Sequence, residues 1–264
     1  MTRPGPETRP ELEFFDADWL RLREPVDHAT RDAGLEAAVA ERLGSRPVRI
    51  VDLGAGSGST LRHLAPRLHR LGVGPQRWTL LDHDEALLRR ALTDPPAEAA
   101  EIGTGRVDLR DRDALTAALA GADLVTASAL LDVLTEAGAS GLVSVLSGLR
   151  PRPVLLLTLT VTGAARLDPA EPGDPTIAAD FDADQRGHGL GPDAADRVRE
   201  LLGASGWEVS SAATPWRLGP ATRPLLEAWL TGWCAPGGHD AAARLSRGGD
   251  GLRARVPHVD LLAR

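Results

Sequence analysis

A glycine-rich turn follows the first apolar, β-branched run of the sequence, and its spacing suits the binding of a ligand. The run covers residues 48–53 and contains Asp52, and Gly54, Gly56 and Gly58 come directly after it. Glycines at such a point let the chain turn sharply and let a ligand approach the backbone without a Cβ in the way. The amides at the start of the following helix then face the ligand. The turn therefore predicts a nucleotide-type binding site.

The spacing of the glycines separates the classes of nucleotide that such a turn can bind. A dinucleotide fingerprint, G-x-G-x-x-G, would place its third glycine at position 59, which is Ser59 in this chain. No Gly-Lys-Ser/Thr follows the turn, so the pattern is not that of a phosphate-binding P-loop either. A nicotinamide-dependent oxidoreductase therefore remains the less favoured alternative.

A second acidic position follows the second predicted strand. Asp82 comes directly after the apolar run 78–81, and a carboxylate at that point of a doubly wound sheet can accept hydrogen bonds from ribose hydroxyls. A helix cap is the other interpretation of Asp82, but Asp84 is better placed to cap the next helix. The ribose interpretation is therefore favoured.

The elements that must position these residues alternate strictly along the chain. Strands are predicted at 48–53, 78–81, 105–109, 124–127 and 154–161, with helices at 59–71, 84–92, 113–119 and 137–149 between them. Further along, we expect a helix at 193–202, a strand at 208–212, a helix at 221–233 and a final strand at 252–262. This alternation predicts an α/β fold, with a parallel sheet, right-handed crossovers and helices on both faces.

The domain organisation follows from the same pattern. Residues 1–10 are polar and rich in proline, which predicts a disordered tail. Residues 11–47 are expected to form an N-terminal helical cap whose helices part at Pro25. Residues 48–264 form the binding domain, in which the Gly-, Pro- and Asp-rich segment 162–192 is expected to be a long functional loop.

The composition of the chain limits the kinds of partner that it can bind and the cellular compartment that we expect for it. The 264 residues carry a net charge of −7, and all 30 basic side chains are arginine. An acidic chain without a basic run is a poor candidate for nucleic-acid binding, and its apolar runs are too short to span a membrane. The single cysteine, Cys234, permits neither an internal disulfide nor a cysteine metal site, and no metal-ligand spacing is visible. We therefore expect a cytoplasmic protein without a metal, and a homodimer remains open.

The turn, Asp82 and the segments after the third and fourth strands together resemble the class I S-adenosylmethionine-dependent methyltransferases of the small-molecule type. The resemblance covers about residues 48–161. It implies a Rossmann-like, doubly wound, mostly parallel seven-stranded sheet whose last strand is antiparallel. It also implies S-adenosylmethionine as cofactor and transfer of its methyl group to an O, N or C atom of a small-molecule acceptor, for example in specialised metabolism. A regulatory or scaffold protein that binds the cofactor without catalysis is the alternative.

The resemblance also implies which residues contact the cofactor. They are Asp52, Gly54, Gly56, Gly58, Asp82, His83, Asp111, Arg112, Ala127, Ser128 and Arg23. Asp52 and Gly54 would hold its amino acid end, and His83 would flank the adenine. Asp111 and the amide of Arg112 would fix the adenine edge, although a helix cap explains Asp111 equally well and Asp108 is an alternative contact. Ala127 and Ser128 would border the sulfonium. The cofactor carboxylate would meet Arg23 or Arg31.

Candidate acceptor residues lie outside these motifs. The N-terminal segment provides Trp19, and the segment 162–192 provides Phe181, Gln185 and Arg186. The candidate catalytic residues are Asp132, His188 and His258, of which the two histidines are considered as general bases. A surface or structural role is the alternative for each of these three. Methyl transfer needs mainly alignment of the reacting groups, so a base is required only for a poorly nucleophilic acceptor.

Overall fold

A computed structural model describes residues 17–264 of the chain, which form ten α-helices and ten β-strands. The predicted tail, residues 1–10, and the first part of the predicted cap, residues 11–16, lie outside the described residues. The helices are α1 (Ala17–Thr30), α2 (Ala33–Leu43), α3 (Ser59–Arg70), α4 (Glu85–Ala91), α5 (Arg112–Leu119), α6 (Glu136–Gly148), α7 (Asp174–His188), α8 (Ala194–Ala204), α9 (Arg223–Cys234) and α10 (Ala241–Gly248). The strands are β1 (Val48–Leu53), β2 (Gln76–Asp82), β3 (Ala99–Arg106), β4 (Leu124–Ser128), β5 (Val154–Val161), β6 (Arg166–Asp168), β7 (Val209–Ala213), β8 (Trp216–Leu218), β9 (Arg253–Val256) and β10 (His258–Ala263). Among residues 17–264, no helix has the length and apolar character needed to cross a membrane.

Seven of the strands form the main sheet, in the order β3-β2-β1-β4-β5-β10-β7. The first five pair in parallel, and β10 is antiparallel to both of its neighbours. Separate apolar cores cover the two faces of the sheet. The predicted doubly wound, mostly parallel seven-stranded sheet with an antiparallel last strand is therefore confirmed. Strand order reverses between β1 and β4, and a crevice at the carboxyl ends of the strands at this switch point is where such sheets bind ligands.

The central strand β1 shows why the alternating pattern was informative. Its Ile50, Val51 and Leu53 are fully buried, because both faces of a parallel sheet are covered and its strands are therefore almost continuously apolar. The exception is Asp52, a carboxylate within this run, which pairs in register with Thr126 of β4. A polar residue at such a position needs a specific partner.

The third strand was predicted wrongly at 105–109, whereas β3 spans Ala99–Arg106. Because β3 is the outer strand of the sheet, most of its residues are exposed, and it lacks the apolar run that marks the inner strands. The apolar residues Val107 and Leu109, on which the prediction rested, follow the strand and pack against one of the two cores.

The position of the break in the N-terminal cap was also predicted wrongly. Helix α1 continues through the exposed Pro25, and the chain breaks instead at Asp32, whose carboxylate caps α2 by accepting a hydrogen bond from the Leu35 amide at 2.8 Å. Packing of α1 against α9 and β8 outweighs the local preference of proline to end a helix.

The segment 162–192 is not a long loop, because it contains β6 and α7. The predicted final strand, 252–262, is likewise two strands, β9 and β10, which separate at Pro257 and enter different sheets. Strands β6, β9 and β8 form a three-stranded antiparallel sheet. Its inner face packs with α9 around a third apolar core, which includes Trp216 and Trp229.

The outer face of this small sheet carries a row of arginines, which we call the arginine row. Arg255 of β9 lies in register with Arg166 of β6 on one side and with Arg217 of β8 on the other. All three side chains are exposed, and no ion pair joins any of them to another residue in the described part of the chain. The neighbouring register pair on the same face has opposite charges, Asp168 and Arg253.

Candidate functional site

The glycine-rich turn has the backbone conformation that its sequence predicted. Gly54, Gly56 and Gly58 all have positive φ angles, of 61°, 51° and 85°, which residues with a side chain rarely adopt. A Cβ on Gly58 would also lie only 2.8 Å from the Cβ of Ala91 in α4. The turn therefore requires glycine for its conformation and for its close packing against α4.

Two leucines lie over this turn. A Cβ on Gly54 would be 3.1 Å from a methyl carbon of Leu130, which follows β4, and a Cβ on Gly56 would be 3.7 Å from Leu20 of α1. Helix α1 is held in this position by Glu24, whose carboxylate accepts hydrogen bonds of 2.7 and 2.6 Å from Arg62 of α3. The N-terminal helix is thus an apolar cover for the turn.

Asp52 is buried at the carboxyl end of β1 with one oxygen unsatisfied. Its Oδ1 accepts a hydrogen bond of 2.6 Å from the hydroxyl of Thr126, while Oδ2 is buried without a partner. Burial raises the pKa of Asp52 to about 7, against the lowering effects of the Thr126 hydrogen bond and the Arg31 charge. An unpaired buried carboxylate oxygen is costly and indicates a group that the protein alone does not supply.

Arg31, at the junction of α1 and α2, is buried on the same edge of the sheet. It donates to the hydroxyl of Thr158 in β5 at 2.6 Å and to that of Ser128 in β4 at 3.1 Å. Its Nε is buried without a partner. Burial lowers the pKa of Arg31, and the carboxylates of Asp260, Asp27 and Asp52 oppose this effect.

Asp82 connects the glycine-rich turn to the end of β2. Its Oδ2 accepts a hydrogen bond of 2.7 Å from the Gly56 amide, and its Oδ1 accepts one of 2.9 Å from the Asp84 amide. The Nδ1 atom of His83 lies 3.2 Å from Oδ1. Since each carboxylate oxygen has two lone pairs, Asp82 retains the capacity to accept further hydrogen bonds. As predicted, it is Asp84 that caps α4, by accepting from the Ala86 and Leu87 amides.

In the segment predicted to contact adenine, both acidic residues accept hydrogen bonds from residues close to them in sequence. Asp111 caps α5 by accepting a hydrogen bond from the Ala114 amide. Asp108 accepts hydrogen bonds from the amide and the guanidinium of Arg110, and the Arg110 hydrogen bond lowers the pKa of Asp108 to about 2. Arg112 begins α5, and its side chain lies against Gly141 of α6. The assignment of Asp111 or Asp108 to adenine stays a prediction.

Two of the three described non-glycine residues with positive φ angles lie beside Ala127 and Ser128, which end β4. Ala129 and Leu159 have φ angles of 50° and 56°, although neither is glycine. The Ala129 amide donates to the Thr158 carbonyl at 2.9 Å, so the two strained residues are held on neighbouring strands at one edge of the sheet. Strained residues of this kind gather at functional sites.

A second group of polar residues lies between α1 and the ends of β4 and β10, and we call it the Arg23 cluster. It consists of Arg23, Asp27, Asp132, Trp216 and His258. The Nε of Arg23 donates to Asp27 at 2.8 Å, and its guanidinium lies 5.0 Å from the Trp216 ring centroid. The Trp216 indole donates to Asp27 at 3.0 Å and packs against the His258 ring at 4.9 Å between centroids. Arg23 is thereby fixed by contacts on two sides.

In the same cluster, the charged forms of Asp132 and His258 are both disfavoured. Burial raises the pKa of Asp132, partly offset by Arg23, and its Oδ1 is buried without a partner. Burial, together with the Arg23 charge, lowers the pKa of His258 to about 3. The Nδ1 of His258 lies 2.9 Å from the Val256 carbonyl. His258 is therefore neutral at physiological pH and is a weak base.

The remaining candidate residues lie elsewhere. Trp19 packs against Trp216, with ring centroids 6.2 Å apart, and Phe181 packs against the third core. On α7, Gln185 packs closely against Gly191, where an added Cβ would lie 2.9 Å from the Gln185 Cβ. The exposed Arg186 forms an ion pair with Asp193, and the exposed His188 contacts the Asp184 carbonyl. Among the described residues, no hydrogen bond or ion pair joins these three to the glycine-rich turn or the Arg23 cluster. Their predicted roles, and that of Trp19, stay predictions.

Several residues of the site had no sequence signal. Thr126 and Thr158 lie within apolar strands, and Asp27 lies in a polar helix, 189 positions before its partner Trp216. A three-residue strand such as β8, which carries Trp216, has no detectable periodicity. Within residues 17–264, no group of three or more His, Cys, Asp or Glu side chains is arranged to hold a metal ion.

The fold is shared with solved methyltransferase structures. Loganic acid methyltransferase with SAH is 10% identical, with a TM-score of 0.60 over 96% of this chain and 98% of that one. An O-methyltransferase family protein from Burkholderia thailandensis is 17% identical, with a TM-score of 0.51 over 75% of this chain. This chain spans only 55% of that protein's length. The plantazolicin methyltransferase BpumL in complex with SAH is 13% identical, with a TM-score of 0.50 over 94% of this chain and 91% of that one.

No protein-family model and no curated protein matches the sequence. The structural similarity and the topology of the sheet together show that the chain has the class I methyltransferase fold. At these identities they show the fold alone, so the ligand and the activity must be inferred from the site.

Proposed function

We propose that this protein binds S-adenosylmethionine (SAM) at the glycine-rich turn and transfers its methyl group to a small-molecule acceptor. The observation that carries the proposal is a pair of unsatisfied buried atoms of opposite character at one edge of the sheet. The Oδ2 atom of Asp52 is an unpaired acceptor, and the Nε atom of Arg31 is an unpaired donor. Their hydroxyl partners, Thr126 and Ser128, are two residues apart on β4 and so face the same side of the sheet.

A zwitterion would satisfy both atoms at once. The amino acid end of SAM carries an ammonium group, which can donate to Asp52, and a carboxylate, which can accept from Arg31. Either charge alone would leave one buried atom of this pair unpaired, at a cost of about 1–3 kcal/mol. The donors and acceptors present therefore fit the cofactor that the fold suggests, and they favour Arg31 over Arg23 as its carboxylate partner.

The other cofactor contacts follow from the ends of β2 and β4. Asp82 would hold the ribose with its remaining lone pairs, and His83 would flank the adenine. The adenine edge would meet the start of α5. Ala127 and Ser128, next to the strained Ala129, would border the reacting sulfur.

When bound, SAM supplies a methyl group on a positively charged sulfur, which makes that group an activated electrophile. The task of the protein is then to exclude water and to align the acceptor with the methyl group. Leu20 and Leu130 lie over the turn and would perform the first task. The Arg23 cluster, beside the ends of β4 and β10, is placed to perform the second.

Calorimetric titration of the full chain with SAM, SAH (the demethylated product) and NAD tests the proposal. We expect SAM and SAH to bind and NAD not to bind. We also expect Asp52→Asn to weaken SAM binding by about tenfold or more, because the amide cannot form the same charged hydrogen bond. Asp196→Asn, an exposed carboxylate on α8, is the matched control. Absence of heat with millimolar SAM, or binding of NAD in its place, would overturn the proposal.

A further inference from the structure

We propose that the Arg23 cluster is the acceptor site and that the acceptor is a small carboxylic acid with an apolar body, methylated on a carboxylate oxygen to give a methyl ester. This inference rests on the proposed function and names its substrate class. It is carried by a fixed guanidinium, an unpaired buried carboxyl oxygen and aromatic rings beside the end of β4.

The first observation is the way in which Arg23 is held. Its side chain is only 11% exposed, and its Nε is bound by Asp27 while one face stacks on Trp216. The structure shows no hydrogen bond from its two terminal nitrogens to another described residue. A guanidinium that is fixed in this way retains two parallel N–H donors, which is the arrangement that binds a carboxylate in bidentate fashion.

The second, independent observation is Asp132. Its Oδ1 atom is buried without a partner, in the short turn Leu131–Val133 directly after Leu130, which lies over Gly54. Burial favours the protonated form of this carboxyl, since its pKa is raised. A protonated Asp132 is a donor that can hydrogen-bond to a carboxylate oxygen of the acceptor, which would satisfy the unpaired atom.

The third observation is the absence of a strong base among the described members of the cluster. His258, with its pKa lowered to about 3 by burial, cannot remove a proton from an alcohol or a phenol efficiently. The whole chain contains neither lysine nor tyrosine. A protonated amine would also need a base, because only the neutral amine is a nucleophile. A carboxylate is already ionised at neutral pH and needs no base.

The reaction balances without a proton transfer. A carboxylate oxygen lone pair forms the new C–O bond to the methyl carbon, the C–S bond breaks, and its electron pair remains on sulfur as a neutral thioether. One negative and one positive charge disappear together, and a site that excludes water favours such a step. The partly exposed ring of Trp19, which packs against Trp216 at 6.2 Å between centroids, is an apolar surface suited to the body of the acid.

Incubation of the full chain with isotopically labelled SAM and matched probes tests the substrate class. The probes are benzoate, phenylacetate and a medium-chain fatty acid, each compared with the corresponding amide, alcohol and amine. Ligand-observed NMR in the presence of SAH measures binding, and mass spectrometry measures methyl ester formation. We expect the acids to bind and to be esterified in preference to their analogues. Equal binding of acids and amides, or methylation of an amine or alcohol instead, would overturn the inference.

Variants at Arg23 test the guanidinium. Arg23→Gln should reduce ester formation by about 100-fold, because a buried charged contact is lost, while SAM affinity changes little. Arg21→Gln, on the same helix with a side chain 81% exposed, should leave both unchanged. Melting curves show whether each variant is folded. A folded Arg23→Gln protein that esterifies acids at the rate of the unsubstituted protein would contradict the inference.

Variants at Asp132 separate a positioning role from a base. An asparagine amide donates a hydrogen bond much as a protonated carboxyl does, so Asp132→Asn should keep ester formation within about threefold, whereas Asp132→Ala should lose about tenfold or more. If Asp132 were instead a catalytic base, both variants would lose ester formation to the same extent. If the unsubstituted protein binds SAM but forms no ester from any of the acids, this inference alone is contradicted. If the unsubstituted protein does not bind SAM, the proposed function is contradicted as well.

Discussion

Two residues of the proposed cofactor site, Asp52 and Arg31, have buried polar atoms that the protein itself leaves without partners. Asp52 is almost completely buried, and one of its oxygens has no partner, so folding leaves a desolvated acceptor at a cost of about 1–3 kcal/mol. Asp260, another carboxyl beside Arg31, contrasts with it. Its oxygens accept from the Leu159 and Asp32 amides and from Thr214. Asp260 is therefore satisfied within the fold, whereas Asp52 keeps one buried oxygen without a partner, which is the atom that we propose SAM contacts.

The pH dependence of stability should reveal the burial of Asp52. Its pKa in the folded protein, about 7, lies well above the ordinary aspartate pKa of 3.8. Between about pH 4 and pH 7 the folded protein therefore keeps a proton that the unfolded chain releases, so this group lowers stability as pH rises through that window and changes nothing above it. We expect the free energy of unfolding of the unsubstituted protein, minus that of Asp52→Asn, to fall by up to about 4 kcal/mol over this range.

Urea denaturation at several pH values measures this difference. His28, with its pKa lowered to about 4 mainly by burial, and His258, at about 3, act in the opposite direction below about pH 6.5, but they are common to both proteins and cancel. A difference that does not vary with pH would show that Asp52 is ionised throughout.

The packing of the glycine-rich turn against α4 can be tested by comparing Gly58 with Gly72. Gly58 and Gly72 both have a φ angle of 85°, but a Cβ on Gly58 meets Ala91 at 2.8 Å, whereas nothing lies within 4 Å of a Cβ on Gly72. Gly58→Ala should therefore cost about 1–3 kcal/mol more than Gly72→Ala, because only the first adds a steric clash to the backbone strain. Thermal denaturation measures both, and equal losses would contradict the packing of the turn against α4.

The small antiparallel sheet and α1 contribute side chains to the proposed site, which lies at the carboxyl ends of the parallel strands of the main sheet. Trp216 of β8 donates to Asp27 of α1, which in turn fixes Arg23. His258 begins β10 and so connects the same cluster to the main sheet. The proposed acceptor site therefore depends on four separate elements, which are α1, the turn Leu131–Val133, β8 and β10.

The arginine row places three like charges side by side on the small sheet. Arg255 lies directly opposite both Arg166 and Arg217, and like charges opposed across strands destabilise a sheet. Arg255→Glu should therefore raise the free energy of unfolding by about 0.5–1 kcal/mol at low salt, and the gain should shrink at high salt. Arg253→Glu, which opposes Asp168, should lower it. Chemical denaturation of both variants measures these effects, and a loss in both would contradict the register.

Features that depend on a local stretch of sequence could be predicted, whereas features that depend on contacts between distant parts of the chain could not. The main sheet was predictable because strands buried on both faces, such as β5, are continuously apolar. The conformation of the glycine-rich turn and the position of Asp82 at the end of β2 were predictable because both depend on local backbone geometry. The exposed outer strand β3 and the three-residue strands β6 and β8 lack any such run. The Arg23 cluster joins separate parts of the chain, and no local sequence pattern predicts which distant residues contact each other.

A crystal structure of the full chain with SAM tests the central claim most directly. We predict that the cofactor lies against the glycine-rich turn, with its ammonium group within hydrogen-bond distance of the Asp52 Oδ2 atom and its carboxylate at Arg31. The ribose hydroxyls should lie at Asp82. A cofactor bound elsewhere, or one whose amino acid end leaves Asp52 and Arg31 unpaired, would contradict the account.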